Sequence, residues 1–356
     1  TGLARGTVAD VTLTGDVTYD ESSGNTTYGS EVINEGNYEG TGGLIGMPYG
    51  ALENLKVSGL HVKGYTYVGG VSGRINENTN QNIQVGDENL TTADGAKVPF
   101  GVFVEGRTYI SGVASRGTSG GYSTTVNYFK NVKVQNVRIS ASNDGAYGIG
   151  TVCQVEDSEV SGCDIYAATS HAAGVVRDWN TVYRTAVKDT KISSGNNVGG
   201  IGTYGLSAAD CTVSGCTITG SKYVGGVLGL SYNSTINSTG VVDSFIGTEN
   251  ASYVGGLVGG NYQDSATQTF AVVYNSFCKD STVQAASAAG GIIGYARGGN
   301  YESNYSNATV IASENAGGFA GLADGYIMNS DARRRLQLKD FYFRGTVEAK
   351  LQNAGG

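Results

Sequence analysis

The sequence predicts an all-β protein, a parallel β-helix or solenoid, from three observations: a repeated glycine phrase, apolar residues at fixed positions around it, and very little proline. The phrase is an aliphatic residue, usually a glycine pair, and a second aliphatic residue, as in Val68-Gly69-Gly70-Val71 and Val224-Gly225-Gly226-Val227. A repeat of this kind is a unit that buries its apolar face only by stacking on its neighbours.

The second glycine of each phrase serves as an anchor for the register. The anchors are Gly43, Gly70, Gly112, Gly148, Gly174, Gly200, Gly226, Gly256, Gly291, Gly318 and Gly356. The three steps from Gly148 to Gly226 are 26 residues each, whereas the steps that end at Gly112 and Gly148 are 42 and 36 residues. The sequence therefore predicts about eleven coils of ~26–42 residues, with lateral loops in the segments 74–108 and 116–140.

Three apolar rows accompany the anchors. One row follows the anchor directly, one lies two residues before it, and the third lies eight or nine before it, as Val227, Val224 and Ile218 do for Gly226. Short β-branched runs separated by Gly, Ser, Asn and Thr are strand signals, and no window sustains a helical period. We expect the anchor glycine either to turn a corner with positive φ or to pack closely on the next coil.

Composition agrees with stacked strands in one domain over residues 1–356. The chain has 57 glycines without a strict period of three, and its only prolines are Pro48 and Pro99. Proline removes a donor from a strand ladder, so a chain of stacked strands should avoid it. We expect the coils to wind right-handed, because parallel crossovers nearly always do.

The repeat is clearest in stretches such as Tyr305-Ser306-Asn307-Ala308-Thr309-Val310 followed by Asn315-Ala316-Gly317-Gly318-Phe319-Ala320-Gly321. This pattern resembles the GLUG-motif repeats of large bacterial surface proteins. It implies a secreted or surface-anchored, β-rich, adhesin-like segment, sometimes beside a metallopeptidase or adhesive domain, and it implies no catalytic residues. Both ends of the chain look cut, without an initiator Met or signal peptide, so we interpret it as a fragment whose flanking domains lie elsewhere in the same polypeptide.

The charge balance disfavours two classes of partner. With 23 basic and 31 acidic residues the formal net charge is −8, so neither nucleic acid nor an anionic membrane surface is expected as a partner. No apolar run is long enough to span a membrane. The basic cluster Arg333-Arg334-Arg335 is interpreted as a solvated loop rather than an anion site.

The five cysteines do not predict a disulfide framework or a zinc site. Cys153, Cys163, Cys211, Cys216 and Cys278 are too scattered for either, and Cys163 and Cys216 hold nearly the same register in coils two apart. Two strand spacings are about 9.6 Å, beyond the ~7 Å Cα limit for a bridge. We therefore expect the five cysteines to be small buried hydrophobic residues with free thiols.

The sequence contains no known catalytic motif, and no catalytic residue, metal or other cofactor is expected. The two histidines, His61 and His171, form no H-E-x-x-H motif, and no G-x-S-x-G elbow or P-loop is present. Convergence of Glu156, Asp157, Asp178 and Asp189 is the remaining route to an acid pair. The acidic stretch 76–94 could hold calcium, but it lacks EF-hand spacing and a solvated loop is favoured.

One set of residues stands out as a candidate binding surface. Three residues before an anchor, and so pointing outward beside an inward row, lie Tyr67, Tyr109, His171, Tyr223 and Tyr253. Tyrosine suits sugar stacking or a protein contact, but stacked tyrosines also stabilise neighbouring coils, and we favour this structural role. Trp179, the sole tryptophan, either caps a loop or contacts a ligand.

The sequence thus predicts a non-catalytic solenoid: a stalk or adhesive surface of an exported bacterial protein, extracellular or on the cell surface. Its expected partners are a glycan or a host surface protein. The alternative is a carbohydrate-active β-helix enzyme, a polysaccharide lyase or glycoside hydrolase. Two acids within 10 Å of each other in an outward cleft would favour the enzyme.

Overall fold

The computed structural model describes residues 3–4, 6–36, 39–75, 78–115, 127–178, 181–261, 271–324 and 336–355, and every helix or strand in these ranges is a β-strand. No helix within them is long and apolar enough to cross a membrane. The chain divides into two compact units, Thr1–Thr169 and Ser170–Gly356. One domain over 1–356 and a right-handed winding stay predictions.

The first unit consists of parallel strands with one antiparallel hairpin. The hairpin is β3 with β4, and β1 pairs with β7. One parallel series runs β2, β8, β11, β13 and on to β15 and β16, and a second runs from β5 and β6 through β9 and β10 to β12, β14 and β17. The strands are β1 Leu3–Ala4, β2 Val8–Thr14, β3 Val17–Asp20, β4 Asn25–Tyr28, β5 Ser30–Ile33, β6 Glu39–Gly42, β7 Met47–Pro48, β8 Leu52–Ser58, β9 Leu60–Lys63, β10 Thr66–Gly69, β11 Thr79–Gly86, β12 Val102–Ser111, β13 Asn127–Gln135, β14 Val137–Tyr147, β15 Cys153–Glu156, β16 Glu159–Ser161 and β17 Asp164–Ala167.

The second unit is more regular, because the coils from β18 to β47 each contain five short strands that pair in parallel with the equivalent strands of the neighbouring coil. Its strands are β18 Ser170–Ala173, β19 Val176–Asp178, β20 Thr181–Tyr183, β21 Ala186–Lys188, β22 Lys191–Ser194, β23 Val198–Gly199, β24 Gly202–Tyr204, β25 Ser207–Ala209, β26 Thr212–Ser214, β27 Thr217–Thr219, β28 Tyr223–Gly225, β29 Leu228–Ser231, β30 Thr235–Asn237, β31 Gly240–Val242, β32 Phe245–Gly247, β33 Tyr253–Gly255, β34 Val258–Asn261, β35 Val272–Tyr274, β36 Phe277–Lys279, β37 Thr282–Ala285, β38 Ala288–Gly290, β39 Ile293–Ala296, β40 Gly299–Glu302, β41 Tyr305–Ser306, β42 Thr309–Ala312, β43 Asn315–Gly317, β44 Ala320–Ala323, β45 Leu336–Lys339, β46 Tyr342–Phe343, β47 Thr346–Ala349 and β48 Asn353–Gly355. The predicted fold class, an all-β parallel solenoid, is confirmed.

The predicted apolar rows form the core. Val198, Val224 and Val254, which precede their anchors by two residues, are fully buried, and so are Ile201, Val227 and Leu257 after the anchors. The exceptions lie toward the ends of the described chain, where Leu44, Val347 and Ala354 are partly or fully exposed. The inward assignment of the three rows is therefore confirmed for nearly every coil.

The anchor glycines stack on one another within each unit. A Cβ added at Gly200 would lie 2.1 Å from the carbonyl oxygen of Gly226, and in the first unit one added at Gly70 would lie 2.2 Å from that of Gly112. No described anchor has a positive φ. Of the two expected reasons for glycine, close packing on the next coil is therefore correct and the left-handed corner is wrong.

The corners use a different residue type. Many corners are single left-handed residues, such as Asn54 within β8, Asn82 within β11 and Asn131 within β13 of the first unit (φ 54°, 55° and 54°). Asparagine and aspartate tolerate this conformation better than other residues with side chains. Five short strands per coil, separated by such corners, also create inward rows that the sequence prediction missed, for example Val213, Val241 and Cys278.

Side-chain amides connect four corners of the first unit into an asparagine ladder, Asp10–Asn54–Asn82–Asn131. Each Nδ2 donates to the Oδ1 of the residue before it in this series, at 2.8, 2.8 and 2.7 Å. All four side chains lie at the exposed surface, yet their hydrogen bonds join consecutive coils along one edge.

Candidate functional site

The residues of the predicted stripe form a column in each unit. In the second unit the paired strands place one residue per coil in register, in the order His171, Asn197, Tyr223, Tyr253, Ala288, Asn315 and Asn353. In the first unit Tyr67 on β10 lies beside Tyr109 on β12. We call these residues the tyrosine columns.

Both faces of the Tyr67 ring are covered. Tyr109 stacks on it, with ring centroids 5.3 Å apart and planes 12° apart. The Arg74 guanidinium lies 5.0 Å from the ring centroid, and Cγ and Cδ of Arg74 lie beside Gly40, which precedes Tyr67 in the column, so Arg74 covers the opposite face. A sugar ring therefore cannot stack on Tyr67 unless Arg74 moves.

The second unit shows the same arrangement with a third ring. Tyr223 stacks on Tyr253 at 5.4 Å and 20°, and Tyr253 stacks on Tyr295 at 5.1 Å and 26°. Lys222 Nζ lies 5.1 Å from the Tyr223 centroid, and Tyr223 is only 4% exposed. The sequence prediction missed Tyr295, which lies four residues after its anchor Gly291; the tyrosine at the same offset in another coil, Tyr204, was the available signal.

The remaining predicted residues divide into two cases. His171 continues the column, with its Nε2 3.3 Å from Nδ2 of Asn197, and both residues have positive φ, at 62° and 37°. Trp179 lies outside the described residues, as does the cluster Arg333-Arg334-Arg335. Whether the tyrosine columns bind a ligand stays a prediction.

A second cluster, which the sequence analysis did not identify, lies on the outward side of β5, β9, β12, β14 and β17. In-register positions on these strands carry Glu31, His61, Phe103, Arg138 and Asp164. The Phe103 ring stacks on His61 at 4.9 Å and 6°, and the Arg138 guanidinium lies 5.5 Å from the Phe103 centroid.

The imidazole of His61 joins two carboxyl groups. Its Nδ1 lies 3.1 Å from Oε1 of Glu31 and its Nε2 lies 3.2 Å from Oε1 of Glu105, which also pairs with Lys63 at 3.1 Å. These two carboxylate oxygens can be no more than about 9 Å apart, below the ~9.5 Å upper limit for carboxyl pairs in glycoside hydrolysis. The sequence spacing hid this pair because the two acids lie 74 residues apart.

Three of the four acids that the sequence analysis considered for catalysis lie beside basic side chains. Glu156 and Asp157 lie 3.8 and 3.6 Å from Nζ of Lys130 in the first unit, and Asp178 lies 3.4 Å from Nε of Arg177 in the second. In the acidic stretch 76–94, whose residues 78–94 are described, Asp87 accepts hydrogen bonds from the Asn89 N–H and from Lys56, which lower its pKa. Among the described residues no three His, Cys, Asp or Glu side chains are placed to hold a metal ion.

All five cysteines lie within the described residues; none forms a disulfide and all are buried. Three of them also donate hydrogen bonds, as when Sγ of Cys211 donates to the Ala209 carbonyl oxygen at 3.2 Å and Sγ of Cys216 to that of Ser214 at 3.2 Å. Burial raises the pKa of Cys163 to about 12 and that of Cys211 and Cys216 to about 11. The prediction of buried, structural thiols is confirmed, with the addition of these bonds.

Comparison with known proteins gives two similar solved structures. One is a "putative immunoglobulin A1 protease" from Bacteroides ovatus, 14% identical, with a TM-score of 0.41 over 70% of this chain and 78% of that one. The other is the A-module of the mannuronan C-5 epimerase AlgE4 of Azotobacter vinelandii, 10% identical, with a TM-score of 0.29 over 92% of this chain and 88% of that one. No family model and no curated protein matches the chain.

Proposed function

We propose that this chain is a non-catalytic β-solenoid that serves as a stalk or adhesive surface of an exported bacterial protein, outside the cell or on its surface. The observation that supports this best is the continuous stacking within each unit: inward rows such as Val198, Val224 and Val254 are fully buried, and the anchor glycines touch backbone to backbone. Coils bonded to both neighbours open rarely, so they resist extracellular proteases.

If the chain is an adhesive surface, the tyrosine columns limit which groups a partner can contact. Tyr67 and Tyr253 are each covered on both faces by neighbouring groups, so a partner meets ring edges and hydroxyl groups. Such an edge suits a host surface protein, which can supply hydrogen bonds and flat apolar contact, better than a pyranose that needs a free ring face.

Limited proteolysis tests the stalk. We expect dilute, nonspecific protease to cut the chain at few positions and to leave large parts of both units intact under native conditions. Mass spectrometry of the early fragments identifies the cuts. Rapid cleavage within stacked strands such as β23 to β33 would contradict the stalk proposal.

The second candidate is a carbohydrate-active enzyme, and one observation favours it: Glu31 and Glu105 lie on one outward face and share the imidazole of His61. Assays for reducing ends or unsaturated products on pectate, alginate and xylan test this. The stalk proposal predicts no turnover. Turnover that is lost in Glu31→Gln and Glu105→Gln but kept in Glu53→Gln, an acid elsewhere in the first unit, would establish the enzyme instead.

A further inference from the structure

A separate row of aromatic side chains crosses the second unit. Phe277 on β36, Tyr305 on β41 and Tyr342 on β46 occupy in-register positions in consecutive coils, and we call them the aromatic row. The next residues along the first two of these strands, Cys278 and Ser306, are fully buried, so the row points outward. The Tyr305 and Tyr342 rings stack with centroids 5.7 Å apart and planes 16° apart.

The phenol groups near this row are available to a ligand. Within the part of the chain that the structure describes, the hydroxyls of Tyr274, Tyr305 and Tyr342 form no hydrogen bond. Tyr342 is 57% exposed. Gly240 precedes Phe277 in register, and a Cβ there would lie 2.3 Å from the ring, so glycine gives Phe277 room to lie across the neighbouring strand.

The charges around the aromatic row are balanced. Lys279 lies 3.5 Å from Asp280, and Lys339 forms an ion pair with Glu302 and lies 3.8 Å from Asp340. The exposed amides of Asn300 and Gln337 follow each other in register on β40 and β45. The described residues of this surface therefore offer aromatic carbon, neutral donors and acceptors, and basic groups paired with acidic ones.

We propose that the aromatic row binds a neutral polysaccharide. The apolar faces of pyranose rings pack on aromatic carbon, and the sugar hydroxyls exchange hydrogen bonds with phenol and amide groups that have no side-chain hydrogen bond to another described residue. An acidic polysaccharide fits less well, because the chain carries a net charge of −8. The row crosses consecutive coils, so it contacts a polymer at several sugars. This site shares no residue with the tyrosine columns, and the proposal does not depend on the stalk function. The sugar-binding proposal and the stalk proposal can therefore each be wrong without affecting the other.

Isothermal titration of residues 1–356 with cellohexaose, xylohexaose, mannohexaose and laminarihexaose, and with a polygalacturonate oligomer as the anionic probe, tests the proposal. We expect at least one neutral hexasaccharide to bind, with at least tenfold weaker affinity in Tyr305→Ser/Tyr342→Ser. Tyr166→Ser, which removes an exposed tyrosine of the first unit, should leave the affinity unchanged.

Tyr305→Phe/Tyr342→Phe keeps the rings and removes both hydroxyls, so it carries the test if the serine variant does not fold; we expect a loss of two- to fivefold. The proposal is overturned if no neutral hexasaccharide binds, if only polygalacturonate binds, or if affinity is unchanged in the folded serine variant and in the phenylalanine variant.

Discussion

The backbone N–H of Cys216 donates to Oγ of Ser244 in the next coil, 3.2 Å away, and each of the two side chains donates to the carbonyl oxygen of the residue two positions before it. Ser281 continues the series, because its Oγ accepts from the Ser244 N–H at 3.1 Å. A thiol and a hydroxyl thus hold equivalent positions in successive coils. Cysteine is thus one of several residue types whose side chain can make the hydrogen bond at this corner.

This equivalence predicts that Cys216→Ser is tolerated. The hydroxyl can make the bond that the thiol makes, so we expect the free energy of unfolding to change by less than about 1 kcal/mol. Cys216→Val has similar volume but no donor, and it should cost about 1 kcal/mol more than the serine variant. Urea unfolding measures both; equal effects would mean that the thiol bond contributes nothing.

Alkaline pH should weaken the fold through the same thiols. Burial raises the pKa of Cys211 from its ordinary 9.0 to about 11, so the unfolded chain releases this proton at lower pH than the folded chain does. Stability is then fully present below pH 9 and falls between pH 9 and about 11. We expect the urea midpoint to fall across this range, and to fall less in Cys163→Ser/Cys211→Ser/Cys216→Ser. An identical pH slope in that variant would exclude these three thiols as the cause.

An anchor glycine should not tolerate a methyl group. In Gly226→Ala the new Cβ would meet the Gly256 carbonyl oxygen at 2.2 Å, and backbone cannot give way as a side chain can. We expect a loss of at least about 1–3 kcal/mol, the usual cost of overpacking. Gly355→Ala is the matched control, because nothing lies within 4 Å of its added Cβ. Similar thermal midpoints for the two variants would contradict the stacking of anchors.

A charged residue in the inward row should strongly destabilise the fold. Ile201 is fully buried, so Ile201→Asp places an unpaired carboxylate in apolar surroundings, and we expect a loss of several kcal/mol. Thr212→Asp, at an exposed position of the same unit, should change stability by less than about 0.5 kcal/mol. Hydrogen exchange should show the Ile201→Asp damage first in the adjacent coils.

The tyrosine column of the second unit can be tested as scaffold against ligand surface. Because Tyr223 is buried and Tyr253 stacks on two rings, we expect Tyr223→Ala/Tyr253→Ala to lower the free energy of unfolding by more than about 3 kcal/mol. Any binding on a glycan or protein array should survive at a temperature where the variant is folded. Lost binding with an unchanged thermal midpoint would instead establish a ligand surface.

The sequence allowed prediction of the features that repeat at a fixed offset from an anchor. Val198, Val224 and Ile201 follow the register of the glycine phrase, so their burial could be predicted, and so could the stacking of Tyr223 on Tyr253. Tyr295 was missed because its partner Tyr253 belongs to the preceding coil and to a different strand of the repeat. Contacts of this kind depend on how far each strand turns at a corner, which the periodicity does not specify.

The Glu31–His61–Glu105 cluster was missed for a related reason. The steps between these residues are 30 and 44 residues, because excursions such as residues 87–101 lengthen some coils. Pairing of the strands brings the three side chains together regardless of that length. Residues 116–126 and 325–335, and with them Arg333-Arg334-Arg335, lie outside the described chain.

The hydrogen bonds of the asparagine ladder all run in the same direction along the first unit. Asn54 and Asn82 each donate to one neighbour and accept from the other, whereas the carboxylate of Asp10 only accepts. Any coil that carries an asparagine at this corner therefore presents the same donor and acceptor to whatever lies above and below it. Such a coil is therefore interchangeable with its neighbours. If a gene duplicated or deleted the whole coil, the adjacent coils would still form the same amide hydrogen bonds.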